Sequence, residues 1–192
     1  MADAATAPLT DDIKIVLVDD HAIVRQGLRS MLEREEGMSI AGEAGTVEEA
    51  LAVTERERPD IVLLDLKLSS DSDSEGLAAC AKLLAEHPSL GVLVLTTFLD
   101  ERLVIRALQA GAKGYVIKDV DITELVRAIR AVSRGESAFD ARSAAVVVRS
   151  VHDGTTDSVG ELTEREREVL TLLAHGISNI ATASGSTSPR RR

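Results

Sequence analysis

Four branched apolar residues, Ile61-Val62-Leu63-Leu64, run without interruption into a single carboxylate, Asp65. Pro59-Asp60 stands before them as a break. A continuous apolar run of this length reads as a strand covered on both faces, the situation of a parallel sheet. Parallel neighbours cannot be joined by tight turns and need long crossovers, usually helical, so this one stretch restricts the chain to a layered α/β arrangement. Asp65 then falls where the strand emerges, at the carboxyl edge where open α/β sheets place their chemistry.

Three other runs repeat the pattern. Ile13-Lys14-Ile15-Val16-Leu17-Val18 ends in Asp19 and Asp20, Val92-Leu93-Val94-Leu95 ends in Thr96 and Thr97, and Tyr115-Val116-Ile117 ends in Lys118. A weaker strand is expected at Ser39-Ile40-Ala41-Gly42. Between the runs, apolar residues recur at helical spacing. Helices are predicted from about Ala22 to Arg34, from Thr46 through Glu57, up to about Glu86, around Leu103 to Leu108, and around Ile122 to Val132. Thr46 with Glu49, and Asp121 with Glu124, have the spacing of helix N-terminal caps. Gly111 and Gly135 mark helix stops. Five βα units fill residues 13–135, predicting a doubly wound, mostly parallel five-stranded sheet.

The flanks differ in character. Residues 1–12 read as a disordered lead-in. Ala141 to Val151 is a predicted helix, and His152 to Ser158 a flexible linker within residues 136–160. Thr163 with Glu166 caps another predicted helix, carrying Val169, Leu170, Leu172 and Leu173 and stopped by Gly176. Residues 182–192, rich in Ser, Thr and Arg, read as disordered.

A net charge of −10 argues against nucleic-acid binding by global charge. One cysteine, Cys80, excludes an internal disulfide and fits a reducing compartment; within a predicted helix it reads as a buried, inert thiol. No apolar run approaches the ~20 residues of a membrane span. The start of the chain lacks a secretory pattern, so a cytoplasmic location is expected.

Carboxylates converging at a sheet edge repel one another unless a cation sits among them, and oxygen-rich, water-accessible sites suit Mg²⁺. Neither G-x-x-x-x-G-K-[ST] nor G-x-G-x-x-G occurs to hold a nucleotide. The remaining phosphate contacts are Lys118 and the hydroxyl of Thr96. A phosphoryl group on Asp65, held between a metal ion and these two, would sit in a charge-neutralising cage.

Val18-Asp19-Asp20-His21, Leu64-Asp65, Leu95-Thr96 and Gly114-Tyr115-Val116-Ile117-Lys118-Asp119 together resemble the receiver domain of two-component response regulators. Leu162-Thr163, Arg165-Glu166, Glu168-Val169-Leu170, Leu172-Leu173-Ala174, Gly176 and Ser178-Asn179 resemble the opening of a LuxR-type helix-turn-helix over residues 161–181. The combination is similar to the NarL/FixJ subfamily and spans nearly the whole chain. The resemblance implies a flavodoxin-like, CheY-like fold with strand order 2-1-3-4-5. It implies that Asp65 is the phosphoacceptor and that Asp19, Asp20, Asp65 and the backbone carbonyl of Lys67 hold Mg²⁺. Lys118 and Thr96 would contact the phosphoryl group, and Tyr115 would reposition with Thr96. The donor would be a sensor histidine kinase, the chain would be a homodimer through its first and fifth helices, and the full-length form would bind DNA.

Two departures qualify these expectations. The loop after Asp65 lacks the family's proline and is longer, with Asp71, Asp73 and Glu75 added. Beyond Ser178-Asn179 the chain runs into Ser, Gly, Pro and Arg with no recognition helix, so sequence-specific DNA binding by this chain is not expected. Two other readings compete: a Mg²⁺-dependent phosphohydrolase, against which Asp65-Leu66-Lys67 places a lysine where a second acid belongs, and a pairing module that takes no phosphate. A self-phosphorylating receiver, not a turnover enzyme, is the leading expectation.

Overall fold

The computed structural model describes residues 12–68, 73–97 and 100–157. The chain divides into two compact units, residues 1–147 and 148–192. The first is a parallel sheet wrapped by helices. The elements along the chain run β1 (Ile13–Val18), α1 (Ala22–Leu32), β2 (Met38–Ala44), α2 (Val47–Glu57), β3 (Ile61–Leu64), α3 (Asp73–Glu86), β4 (Gly91–Thr96), α4 (Glu101–Gln109), β5 (Gly114–Ile117), α5 (Ile122–Ser133), β6 (Ala138–Phe139) and α6 (Ala141–Asp157), of which α6 begins in the first unit and ends in the second.

The sheet order is β2-β1-β3-β4-β5-β6, every pair parallel. The doubly wound core is therefore as expected, with one strand more than the five predicted. β6 is two residues long, too short for any alternation to mark it. It is fixed from the other side: a Cβ on Gly114 would lie 2.3 Å from the Ala138 carbonyl oxygen, so only glycine lets the two backbones approach.

The strands β1, β3, β4 and β5 are almost wholly buried because each is covered on both faces. Ile15, Leu17, Ile61, Leu63, Leu93, Leu95 and Val116 pack in one cluster with Leu28 and Leu32 of α1 and Leu125, Ile129 and Val132 of α5. The alternate residues, among them Val16, Val62, Val94 and Tyr115, are likewise buried. Period-two alternation thus divides two cores between the faces of one sheet.

The caps behave as their chemistry dictates. The Thr46 hydroxyl accepts from Glu49 N at 3.2 Å, while the Glu49 carboxylate accepts from Gly45 N at 2.7 Å. Asp121 accepts from Glu124 N at 2.9 Å. Asp100, which the sequence did not single out, caps α4 by accepting from Arg102 N at 2.8 Å. Two boundaries differ from expectation. Helix α3 starts at Asp73, so positions 73 and 75 lie in its first turn rather than in a loop. Helix α6 continues through Gly154 to Asp157, where a flexible linker was predicted; an isolated glycine lowers helix stability without forbidding it. Asp71, residues 1–11 of the lead-in at 1–12, the helix-turn-helix segment at 161–181 and the tail lie outside the described residues.

Cys80 is fully buried on α3, and burial pushes its thiol up to about 12, a backbone hydrogen bond with Ala112 opposing this only in part. A thiol so held contributes almost no thiolate at neutral pH. Alkylation by iodoacetamide at pH 8 is expected to be at least ~100-fold slower in the folded protein than after denaturation. Equal rates would contradict this burial.

Candidate functional site

The register of the sheet assembles the site. Val18 pairs with Leu64 across β1 and β3, so the residues that follow, Asp19 and Asp65, leave the sheet side by side. Asp65 N donates to the Val18 carbonyl at 2.8 Å, which extends the ladder one step and fixes the exit. Thr96 pairs with Ile117, and Lys118 N donates to the Thr96 carbonyl at 2.7 Å. Asp19, Asp65, Thr96 and Lys118 therefore stand on one edge because four apolar strands end level with one another. Between β1 and β3 the strand order reverses, the switch point at which such sheets bind ligands.

Asp19 and Asp65 are nearly enclosed, at 2% and 5% exposure. Two buried carboxylates are tolerable only with a paired cation. Lys118 supplies it: its Nζ donates to Asp19 Oδ2 at 2.6 Å and to Asp65 Oδ2 at 2.5 Å. Burial works against the Lys118 charge, but hydrogen bonds from it to Asp19 and Asp65, together with their charges, outweigh burial and hold its pKa above the ordinary lysine value. Since the folded-state value is raised, this stabilisation is complete at neutral pH and is lost only as pH rises beyond the ordinary value.

The remaining oxygens are turned toward backbone. Asp19 Oδ1 accepts from His21 N at 2.9 Å, and Asp65 Oδ1 accepts from Lys67 N at 3.1 Å. Arg25 Nη1 donates to the Asp19 carbonyl at 2.5 Å while its Nε bonds Glu43 at 3.2 Å, locking α1 to β2 beneath Asp19. Asp20 is more open, and His21 Nδ1 lies 2.6 Å from Asp20 Oδ1. His21 is the N-cap residue of α1, as a helix-start reading expects, yet its imidazole also faces the acids. Its ligand atom lies within 4.8 Å of those of Asp19 and Asp20. Thr96 is buried beside the site, Thr97 is exposed, and Tyr115 is fully buried two residue pairs back along β5, opposite Val94.

The donor set fits a divalent cation. Two carboxylates share one ammonium and a third, Asp20, lies beside Asp19, which leaves an excess of negative charge at this edge. Hard oxygen donors with an open, solvated side at Asp20 are what Mg²⁺ takes.

Comparison with known proteins agrees with this geometry. Residues 15–130 match the response regulator receiver domain family. The chain is 38% identical over 169 residues to the DNA-binding transcriptional activator DevR/DosR of Mycobacterium tuberculosis, covering 87% of this chain and 76% of that one. It is 36% identical over 174 residues to the response regulator protein VraR of Staphylococcus aureus, covering 91% and 81%. A LuxR-family two-component response regulator from Aurantimonas sp. SI85-9A1 superposes with a TM-score of 0.68 at 33% identity, over 73% of this chain and 99% of that one. The response regulator ChrA of a heme-sensing two-component system superposes with a TM-score of 0.59 at 29% identity, over 91% and 81%. The chain belongs to the two-component response regulators, in their LuxR-type branch, and residues 15–130 are its receiver domain.

Proposed function

We propose that Asp65 is the phosphoacceptor, and that Asp19, Asp20, Asp65 and the Lys67 carbonyl hold Mg²⁺ beside it. The observation that carries the reading is the Lys118 ammonium bridging Asp19 and Asp65 at the level exits of three strands. In the reaction, a carboxylate oxygen of Asp65 forms a bond to phosphorus. The bond from phosphorus to the donor's imidazole nitrogen breaks, and its electron pair leaves with the imidazole. Lys118 stabilises the oxygens on which charge is held, and Thr96 donates its hydroxyl to one of them. A bound Mg²⁺ would add charge neutralisation on the opposite side. Tyr115, already enclosed, would settle with Thr96 and stabilise the phosphorylated arrangement of α4 and β5.

The physiological donor is read as the phosphohistidine of a sensor histidine kinase, and the chain's own location as cytoplasmic. The chain itself is read as a single-turnover acceptor. Lysine at position 67 withholds the second acid that a phosphohydrolase would use to protonate its leaving group. Pairing into a homodimer through α1 and α5 is supported by Ile23 and Met31, apolar residues of α1 that are 79% and 42% exposed.

Incubation with Mg²⁺ and acetyl phosphate should add one phosphoryl group by intact mass. The adduct should vanish in Asp65→Asn and on chelating Mg²⁺. Rapid, continuing turnover of ordinary phosphoesters would favour the hydrolase instead. Absence of any adduct would favour the phosphate-independent pairing module.

A further inference from the structure

Lys118 is bracketed by two ties to the first turn of α6. On its amino side, Ile117 N donates to Asp140 Oδ2 at 2.8 Å. On its carboxyl side, the Asp119 carboxylate pairs with Arg142 Nη2. The other Asp140 oxygen accepts from Ser143 N at 2.8 Å, and the Asp140 carbonyl accepts from Ala144 N at 2.9 Å, so Asp140 is also the cap of α6. One carboxylate thus closes a strand end carrying the Lys118 cation and opens the helix beyond it. The same turn holds a defect. Ser143 is fully buried, and its hydroxyl has no hydrogen-bond partner among the described residues. A docked turn that leaves a buried hydroxyl unsatisfied is held below its best stability and is poised to give way.

We propose that Asp140 is a positioning residue that couples the Lys118 strand end to the start of α6, so that loading of Asp65 loosens that turn. The inference rests on Asp65 being the phosphoacceptor. With Asp65 bare, Lys118 reaches both carboxylates. A phosphoryl group on Asp65 places its oxygens beyond the carboxylate, so the ammonium must retreat to meet them. The backbone at Ile117–Lys118 moves with it. Asp140 cannot follow, since its second oxygen and its carbonyl are committed to α6. The Ile117–Asp140 bond lengthens, and the turn carrying the orphaned Ser143 opens.

The test uses the full chain and two probes. Intact mass after acetyl phosphate and Mg²⁺ first establishes the adduct; without one, the phosphoacceptor reading and this inference both fall. With the adduct present, amide exchange over residues 141–147 is expected to rise about tenfold. In Asp140→Ser, which keeps a cap for Ser143 N but cannot reach Ile117, exchange should already be fast and phosphorylation should change it no further. In Ser143→Ala, which removes the orphan without touching either tie, exchange should slow in the unphosphorylated protein. Coupling is reciprocal. Releasing the tie should therefore tighten beryllofluoride binding in the presence of Mg²⁺ by about the same tenfold, whereas a merely structural lesion would weaken it. Arg142→Ala, an exposed change on the second tie, should move both readouts in the same direction by a smaller factor, and it serves if Asp140→Ser does not fold. An adduct that leaves exchange at 141–147 unchanged, or ties whose removal weakens beryllofluoride binding, would overturn the proposal.

Discussion

Replacing Lys118 by alanine is expected to cost about 3 kcal/mol of folding stability at pH 7, because it strips the one ammonium from two enclosed carboxylates. The pair itself contributes less than this, since most of the loss is the penalty of leaving Asp19 and Asp65 buried without a counter-charge. One consequence separates this account from a simple packing defect. Millimolar Mg²⁺ should restore part of the loss, because a cation bound only by the folded state stabilises it by mass action. Urea unfolding with and without Mg²⁺ reads the effect. Phosphoryl uptake from acetyl phosphate should fall about 100-fold. A variant as stable as wild type and indifferent to Mg²⁺ would show that the bridge carries no weight.

The second large effect is expected at a residue without a side chain. Gly76 lies in the first turn of α3, and a Cβ there would stand 2.3, 2.4 and 2.6 Å from the oxygen, Cα and carbonyl carbon of Leu66. Those are backbone atoms of a fully buried residue next to Asp65 and cannot rotate away. Helix propensity alone would make Gly76→Ala stabilising by about 1 kcal/mol. Overpacking against fixed backbone costs about 2–3 kcal/mol and decides the sign. The displaced Leu66 should also carry the Asp65 carboxylate out of reach of Lys118 and slow phosphorylation. Gly27 in α1 is the internal control, with nothing within 4 Å of a Cβ, and Gly27→Ala should show the propensity gain alone. Equal behaviour of the two alanine variants in urea unfolding would contradict the close approach at Leu66.

Where the sequence was legible, it was because burial leaves a one-dimensional trace. Strand segments covered on both faces are apolar, so β3, β4, β5 and β1 from Ile15 onward announced themselves, and with them Asp19, Asp65, Thr96 and Lys118 at their ends. The caps Thr46 and Asp121 were readable because a cap acts on an amide three residues away. What was missed acts across the chain. β6 is specified by the bare Cα of Gly114, 24 residues earlier, and not by its own two residues. Asp140 reads locally as one more turn acid, and its bond to Ile117 N spans 23 residues. His21 passes as a helix-start residue until the fold sets its ring against Asp20. The extension of α6 beyond Val151 was hidden by Gly154, a residue that reads as a turn when neighbours alone are considered.

The most direct test of the central claim is to trap the acyl phosphate chemically. After acetyl phosphate and Mg²⁺, borohydride reduces an aspartyl phosphate to homoserine, and peptide mass spectrometry locates it. Homoserine at position 65 alone, absent from Asp65→Asn, is the predicted result. Homoserine at Asp19, Asp20 or elsewhere, or none at position 65 in a protein that carries the adduct, would contradict the assignment of Asp65 as the phosphoacceptor.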